Sequence, residues 1–313
     1  MNKKIKWGFI INPVAGKGLA LRYISKIRNR IKKFKMNAEF FHTVRKKHAQ
    51  EIAAELASSG YTHIIAVGGD GTVNEVASGI IDRDVIFGVI PAGSGNDFVP
   101  LLGFPEHFGE KDWGILFTAK TIKMDVGICN GNYFLNGMGF GFDAQVAAEN
   151  YKRSEEKGGT GSYVWHIIRN IFRYKEKPIR TYSNGSERVS SCFIKTIGIG
   201  RRFGGGYHLT AQAIANDGLF DVCTVDTLSV FQRLKLFPKV SEGRHINNEK
   251  VHYYQTDRIE IDTDEIVPYH LDGEVFFDKH FSVSLVPEKL KVIFNPHGNH
   301  YFKTTERFEK NFI

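Results

Sequence analysis

The chain has 313 residues, of which 42% are hydrophobic and 24% charged, with a formal net charge of +8; this is the make-up of a globular protein with room for two domains and two cores. No run approaches the ~18–20 apolar residues of a membrane span, and Met1 to Lys6 lead straight into a strand-like stretch, so neither a transmembrane segment nor a signal peptide is expected. Cys129, Cys192 and Cys223 are odd in number and far apart, which fits neither a disulfide frame nor a zinc site and reads as buried thiols of a cytosolic protein. The charge is uneven. Residues 1–60 hold 14 Lys or Arg against Glu39, Glu51 and Glu55, a surplus of +11, so the remainder carries −3. A basic N-terminal portion points to an anionic partner: nucleotide, nucleic acid or an acidic membrane surface.

Lys6 to Ile11 reads as a first strand, followed by a glycine-bearing turn from Asn12 to Gly18. That turn lacks the spacing and the Ser/Thr of a P-loop. A helix follows, with Ile24, Ile27, Ile31 and Phe34 on one face and a run of Arg and Lys over much of the rest. The basic face is a solvated surface by default and a membrane-docking surface in the alternative. Ala38–Thr43 is a second strand, and Ala49, Ile52, Ala53 and Leu56 mark a second helix.

Ile64–Val67 is a short β-branched strand, and Val73, Val76, Ala77 and Ile80 fall on one helical face. Between them lies Gly68-Gly69-Asp70-Gly71-Thr72. Glycines let a bulky anion approach main-chain N–H groups, and the helix start adds donors and the positive end of its dipole. A phosphate suits such a turn. Asp70 does not, unless a cation or a shared proton lies between the two, so it argues for Mg²⁺ or a chemical role. Asp84–Ile90 is a fourth strand, closed by the turn Pro91 to Asp97. Alternating strands and helices predict a parallel sheet with ligands beyond the carboxyl ends of its strands, where the turns at 12–18, 68–72 and 91–97 all border one crevice.

After about Asp125 the texture changes. Cys129–Asn132 is a hairpin turn between Met124–Ile128 and Tyr133–Asn136, and Val164, Ile167, Ile168 and Ile171 mark one helix. Short alternating runs follow at Ser190–Ile199, Tyr207–Ala213, Leu219–Val225, Arg258–Ile261, Glu274–Phe277 and Phe281–Val286. They predict an antiparallel sandwich or barrel. Asp272-Gly273 and Asp217-Gly218 read by themselves as turns.

Taken together, Asn12-Pro13 with Gly16, Thr43, Gly68–Thr72 with Asn74-Glu75, and Pro91–Asp97 resemble the diacylglycerol kinase catalytic-domain family, which includes bacterial lipid kinases, sphingosine kinases and ceramide kinases. Asp125, Gly204–Gly206, Asp217-Gly218 with Asp221, and Leu271–Glu274 extend the match to about Ile293. The resemblance implies an α/β N-terminal domain over 1–127, with a parallel, Rossmann-like sheet similar to NAD kinases and phosphofructokinases. It implies a mainly antiparallel β-sandwich domain for the lipid over 128–295, a tail over 296–313, and an active site in the cleft between the domains. It implies ATP and Mg²⁺ as cofactors. Asn12, Pro13, Gly16, Thr43, Gly68, Gly69, Asp70, Gly71, Thr72, Asn74, Glu75 and Ser94 then hold ATP, with Glu274 beside the nucleotide. Asp272 is implied as the base for the lipid hydroxyl, Asp70, Asp97 and Asp125 as an acidic network around Mg²⁺, and Asp217 with the carbonyls of Ile214 and Leu219 as a second, structural Mg²⁺ site. The chain departs from the family pattern at Ala211 (often proline), at Ser94 (often threonine) and at Val99-Pro100 (usually an alanine-containing helix start).

The leading expectation is therefore an ATP-dependent lipid kinase acting at an anionic membrane surface, cytoplasmic and peripherally attached, with a homodimer as a possible assembly. An NAD kinase-like enzyme with a soluble acceptor is the alternative, disfavoured because Asn74-Glu75 follow the glycine turn at once. A non-catalytic lipid- or nucleotide-binding regulator is the third reading, and the intact acids argue against it. Nucleic-acid binding has only the charge behind it.

Overall fold

A computed structural model describes residues 5–157 and 163–304. Contacts divide the chain into two units: Met1–Asp125 with Ala215–Asp217 and Pro287–Ile313, and Val126–Ile214 with Gly218–Val286.

The first unit begins with β1 (Trp7–Ile11), α1 (Leu19–Lys33), β2 (Ala38–His42), α2 (His48–Ser58), β3 (His63–Gly68), α3 (Asp70–Ile80), β4 (Ile86–Pro91) and α4 (Glu110–Thr118). Strands β2, β1, β3 and β4 lie side by side in that order, every pair parallel. Every residue of β1 and β3 is buried, as expected for parallel strands covered on both faces. The register sets His42, Ile11, Val67 and Ile90 level, so the turns that follow β1, β3 and β4 leave from one edge of the sheet.

Helix α1 differs from expectation. Its buried residues are Ala20, Tyr23 and Ile27, whereas Ile24 and Ile31 are half-buried and Phe34 lies past the helix end, exposed. The aromatic contact of Tyr23 with Trp113 of α4 turns the helix this way. Helix α4 itself carries no clear apolar period and was not expected.

His63 shows what the packing of this sheet costs a titratable group. Its ring stacks on Trp7 at 4.2 Å, and burial, helped by the Lys291 charge, pushes its pKa down to about 4. Between about pH 4 and 6.5 the folded state then binds fewer protons than the unfolded one, so stability is full above 6.5 and is lost as pH falls through the window. Urea midpoints measured from pH 7 to pH 4 are expected to fall more steeply for the parent than for His63→Phe. Parallel curves would show that His63 does not titrate in the folded state as described.

The second unit holds the end of β5 (Thr121–Cys129), then β6 (Asn132–Phe134), β7 (Gly137–Gly141), α5 (Phe142–Lys157), α6 (Tyr163–Arg173), β8 (Lys177–Ser183), β9 (Ser186–Gly198), β10 (Phe220–Asp226), α7 (Val230–Val240), β11 (Val251–Thr256), β12 (Arg258–Leu271) and most of β13 (Glu274–Ile293). All of its strand pairs with assigned register are antiparallel. Strand β7 joins β9 and β12, and β8 joins the same two, so these four strands close into a ring. The helices cover one face, where Val146, Ile167, Ile171, Phe193, Cys223 and Leu236 share a core. Burial pushes each of the three thiols up to about 12.

Several expectations for this half are corrected. Three helices are present where one was expected, and strands β8 and β11 were not foreseen. Residues 207–213 form no strand: Gly204, Gly205 and Gly206 all take positive φ, and the only ladder contact is the Phe203–Tyr207 bridge. The runs at 274–277 and 281–286 are one strand, β13. Side chains of Val164 and Ile168 lie outside the described residues. By contacts, residues 287–295 group with the first unit, where the end of β13 pairs in parallel with β4 at Val292–Phe87. The described part of the tail packs there too, with Tyr301 donating to the Leu101 carbonyl and accepting from Ala215 N–H.

Candidate active site

Three turns meet at the carboxyl edge of the first unit's sheet. Asn12 holds its own turn by accepting from Val14 N–H at 3.2 Å, and its Nδ2 donates to Thr72 Oγ1 at 3.1 Å, tying the first turn to the start of α3. Gly16, at φ 55°, packs so closely that a methyl group on it would lie 2.2 Å from the Ala92 carbonyl oxygen. Gly69 and Gly93 touch through their backbones; a methyl on Gly93 would sit 2.4 Å from Gly69 Cα. Pro13 occupies the first turn, and Thr43 is buried beside it in the sheet register, its N–H donating to Ile11. The glycines here serve turn-on-turn packing. Replacing Gly16 with Ala combines a left-handed backbone with a clash and is expected to destabilise the protein by roughly 2 kcal/mol or more, read as a lower urea midpoint. An unchanged midpoint would show that the turn can move away from Ala92.

Gly68 ends β3 and Gly69 precedes α3, whose first residues are Asp70, Gly71 and Thr72. The first N–H groups of a helix lack intrahelical partners. Gly71 is exposed, and a methyl there would meet nothing within 4 Å, so an anion has open approach. Asp70 Oδ1 accepts from Phe98 N–H at 3.3 Å, while its Oδ2 lies 3.0 Å and Asp97 Oδ2 3.7 Å from where a Gly95 side chain would begin. Gly95 is therefore the spacer that brings these two carboxylates together. Ser94 is exposed on the same turn, and buried Asn96 pins it, accepting from Gly93 N–H and donating to the Gly93 and Glu106 carbonyls.

Other expected residues take different places. Glu75 reaches the start of α2, accepting from Lys47 N–H at 2.9 Å and Ala49 N–H at 3.2 Å; there it satisfies helix-terminal donors. Asn74 accepts from Ser78 within α3. Asp125, 1% exposed, accepts from Glu288 N–H at 2.8 Å and anchors that segment. Asp217 falls in the first unit, whereas Ile214 and Leu219 fall in the second. Among the described residues no three His, Cys, Asp or Glu side chains are grouped to hold a metal ion.

In the second unit Asp272 and Gly273, at φ 48° and 86°, make the tight turn between β12 and β13, with Leu271 paired to Glu274. The turn reading is therefore right, and it coexists with something more. The Asp272 carboxylate accepts three main-chain N–H groups: Leu135 at 2.7 Å on Oδ2, and Asn136 and Gly137 at 2.9 Å each on Oδ1. Asn136 in turn donates to the Arg202 carbonyl and accepts from Ile199 and Gly200 N–H. Sequence reasoning missed this receiving segment and also the spacer Gly95. The Asn136-Gly137 pair right after a strand was the available signal.

Known proteins match both units. The diacylglycerol kinase catalytic domain model matches residues 6–129, and the YegS C-terminal NAD kinase beta sandwich-like domain model matches residues 136–294, half of the chain. A probable lipid kinase YegS-like of Chromohalobacter salexigens is 30% identical over 243 residues, covering 76% of this chain and 78% of that one. The chain belongs to the diacylglycerol kinase and YegS-like lipid kinase family. A second relative in this family, a diacylglycerol kinase of Bacillus subtilis, is 24% identical over 85% of this chain and 88% of its own. The fold agrees with a crystal structure of a diacylglycerol kinase from Bacillus anthracis str. Sterne, at a TM-score of 0.77 and 24% identity, over 95% of this chain and 99% of that one. No helix among the described residues is long and apolar enough to cross a membrane.

Proposed function

We propose that the chain is an ATP- and Mg²⁺-dependent kinase that transfers the γ-phosphoryl group to a hydroxyl of diacylglycerol or a related lipid. The observation that carries this reading is the meeting of three post-strand turns at one sheet edge, with Asp70 and Asp97 flanking Gly95, in a member of this family. The residues fit the cofactors. The open start of α3 suits nucleotide phosphates, with Asn12, Pro13, Gly16, Thr43, Gly68–Thr72 and Ser94 around it. Two carboxylates are the usual protein share for Mg²⁺, which takes its remaining oxygens from phosphates and water. When bound, Mg²⁺ neutralises the phosphate charge that builds up during transfer. Asp70 and Asp97 orient it; Asp125 fixes the neighbouring backbone.

Asp272 accepts the proton of the lipid hydroxyl as that oxygen attacks the γ-phosphorus, and the bond to ADP breaks. Its three backbone donors hold the carboxylate in one orientation, which a general base needs. Glu274 stands beside it on the turn. The basic residues of α1 supply attraction to an anionic bilayer, each contributing about 1 kcal/mol.

Labelled ATP with Mg²⁺, offered to diacylglycerol, monoacylglycerol, ceramide, sphingosine, phosphatidylglycerol and NAD, tests the reading. Label entering one lipid supports it and names the acceptor. Label entering NAD alone establishes the soluble-acceptor alternative, and ATP binding with no transfer to any acceptor favours a regulator.

A further inference from the structure

We infer that the outer face of α7 and the end of α6 in the second unit form a membrane-inserting patch that docks this protein on a bilayer containing anionic lipid; the inference rests on the lipid-kinase reading above. On α7, Phe231, Leu234, Lys235 and Pro238 recur at i, i+3, i+4 and i+7 and point outward, while Arg233 and Leu236 face the core. Phe231 is 77% exposed and Leu234 46%. These are large apolar side chains held in water by a well-formed helix, whose start Ser229 and Gln232 close with reciprocal hydrogen bonds.

The end of α6 lies beside them. The buried Arg233 guanidinium donates to the Ile171 carbonyl at 2.8 Å and the Tyr174 carbonyl at 3.1 Å, and to Glu176 at 2.6 Å. This clamp fixes Phe172, 58% exposed, near the α7 face. Arg169 and Arg173 of α6, Lys175 just after it and Lys235 of α7 are all exposed. Neither helix contains an Asp or Glu. Nearby Glu176 is taken up by Arg233, and Glu149 by Asn170 and Arg169.

Phe and Leu projecting from a helix pair whose charges are all positive match an anionic headgroup layer over an acyl boundary. A water-facing surface has no use for the aromatic rings. Helix α1, by contrast, presents mostly charge, which attracts a bilayer at a distance and inserts little.

The test uses the full chain and vesicles of phosphatidylcholine with or without phosphatidylglycerol, in the absence of ATP. The parent is expected to sediment with anionic vesicles. Phe231→Ser with Leu234→Ser, and separately Arg173→Glu with Lys235→Glu, are each expected to weaken that partition by roughly tenfold or more. Unchanged partition in both pairs overturns the proposal, as does a parent that ignores the vesicles. A parent that is dimeric without lipid, and that the serine pair turns monomeric, overturns it in favour of a second copy as the occupant. The charge pair alters only exposed groups, so it keeps the test valid if the serine pair unfolds. Phosphoryl transfer to a short-chain, water-soluble acceptor is expected to survive in both pairs. Absence of transfer in the parent, with vesicle binding intact, would sink the kinase reading and leave the patch standing.

Discussion

Asp272→Asn is expected to lower kcat on the accepted lipid by a hundredfold or more, with the KM for ATP little changed. A positioned general base typically contributes 10²–10⁴ in rate, and Asn cannot take the proton. The variant also disturbs structure. Asp272 holds Leu135, Asn136 and Gly137 through both carboxylate oxygens, and an amide offers one acceptor where there were two. Leaving a main-chain donor unpaired costs about 1–3 kcal/mol, so unfolding must be measured alongside turnover. Asn does keep the turn, since it tolerates the left-handed conformation at φ 48°. Asp272→Gly provides the second comparison, because it too keeps the turn and removes every acceptor. If Asn and Gly lose activity alike while the Asn variant stays folded, the carboxylate acts in the chemistry. A kcat within tenfold of the parent for either variant would reduce Asp272 to an anchor of the Leu135–Gly137 segment.

Asp272, a turn residue whose carboxylate also holds Leu135–Gly137, shows what was legible in the sequence and what was not. The first unit could be read well because local patterns and tertiary placement agree there. Ile64–Val67 and the helical face of Val73, Val76, Ala77 and Ile80 are all buried as their spacing demands, and the strand register then forces the three turns together. Patterns fail where one residue answers to a distant partner. Ile24, Ile27 and Ile31 form a valid apolar stripe, yet the helix rolls to place Tyr23 on Trp113, about ninety positions later in the chain. Glu75, just past the glycine turn, likewise reaches a distant element and accepts from the first donors of α2. In the second unit, α7 was invisible because its outer face carries Phe231 and Leu234. The same two exposed side chains are the ones the docking proposal above rests on. Short strands such as β8 hide for a related reason: their alternation is set by a ring of partners, β9 on one side and β12 on the other.

Lys195→Met is expected to stabilise the protein by about 3 kcal/mol at neutral pH. Lys195 lies in β9, opposite Phe140 of β7 and Thr224 of β10, and is 4% exposed. The Thr224 hydroxyl opposite it is buried and has no hydrogen-bond partner among the described residues. Burial, with a smaller push from the Arg188 charge, brings its pKa down from 10.5 to about 8. At 1.36 kcal/mol per pH unit the shift corresponds to about 3 kcal/mol. The sign follows from proton counting. Between about pH 8 and 10.5 the unfolded chain keeps a proton that the folded one has released, so parent stability rises with pH across that window. Below pH 8 both states are protonated and the folded state carries the whole cost of a buried ammonium. Methionine has similar length and no charge, so its stability should be flat over the same range. The advantage of the variant is therefore largest below pH 8 and shrinks as pH approaches 10.5. Urea unfolding at stepped pH values reads this directly. A gap that does not close with rising pH would mean that the gain comes from packing. A variant less stable than the parent at pH 7 would mean that the ammonium is held by compensating groups, and that the interior of the β7–β9–β8–β12 ring is more polar than its lining residues make it.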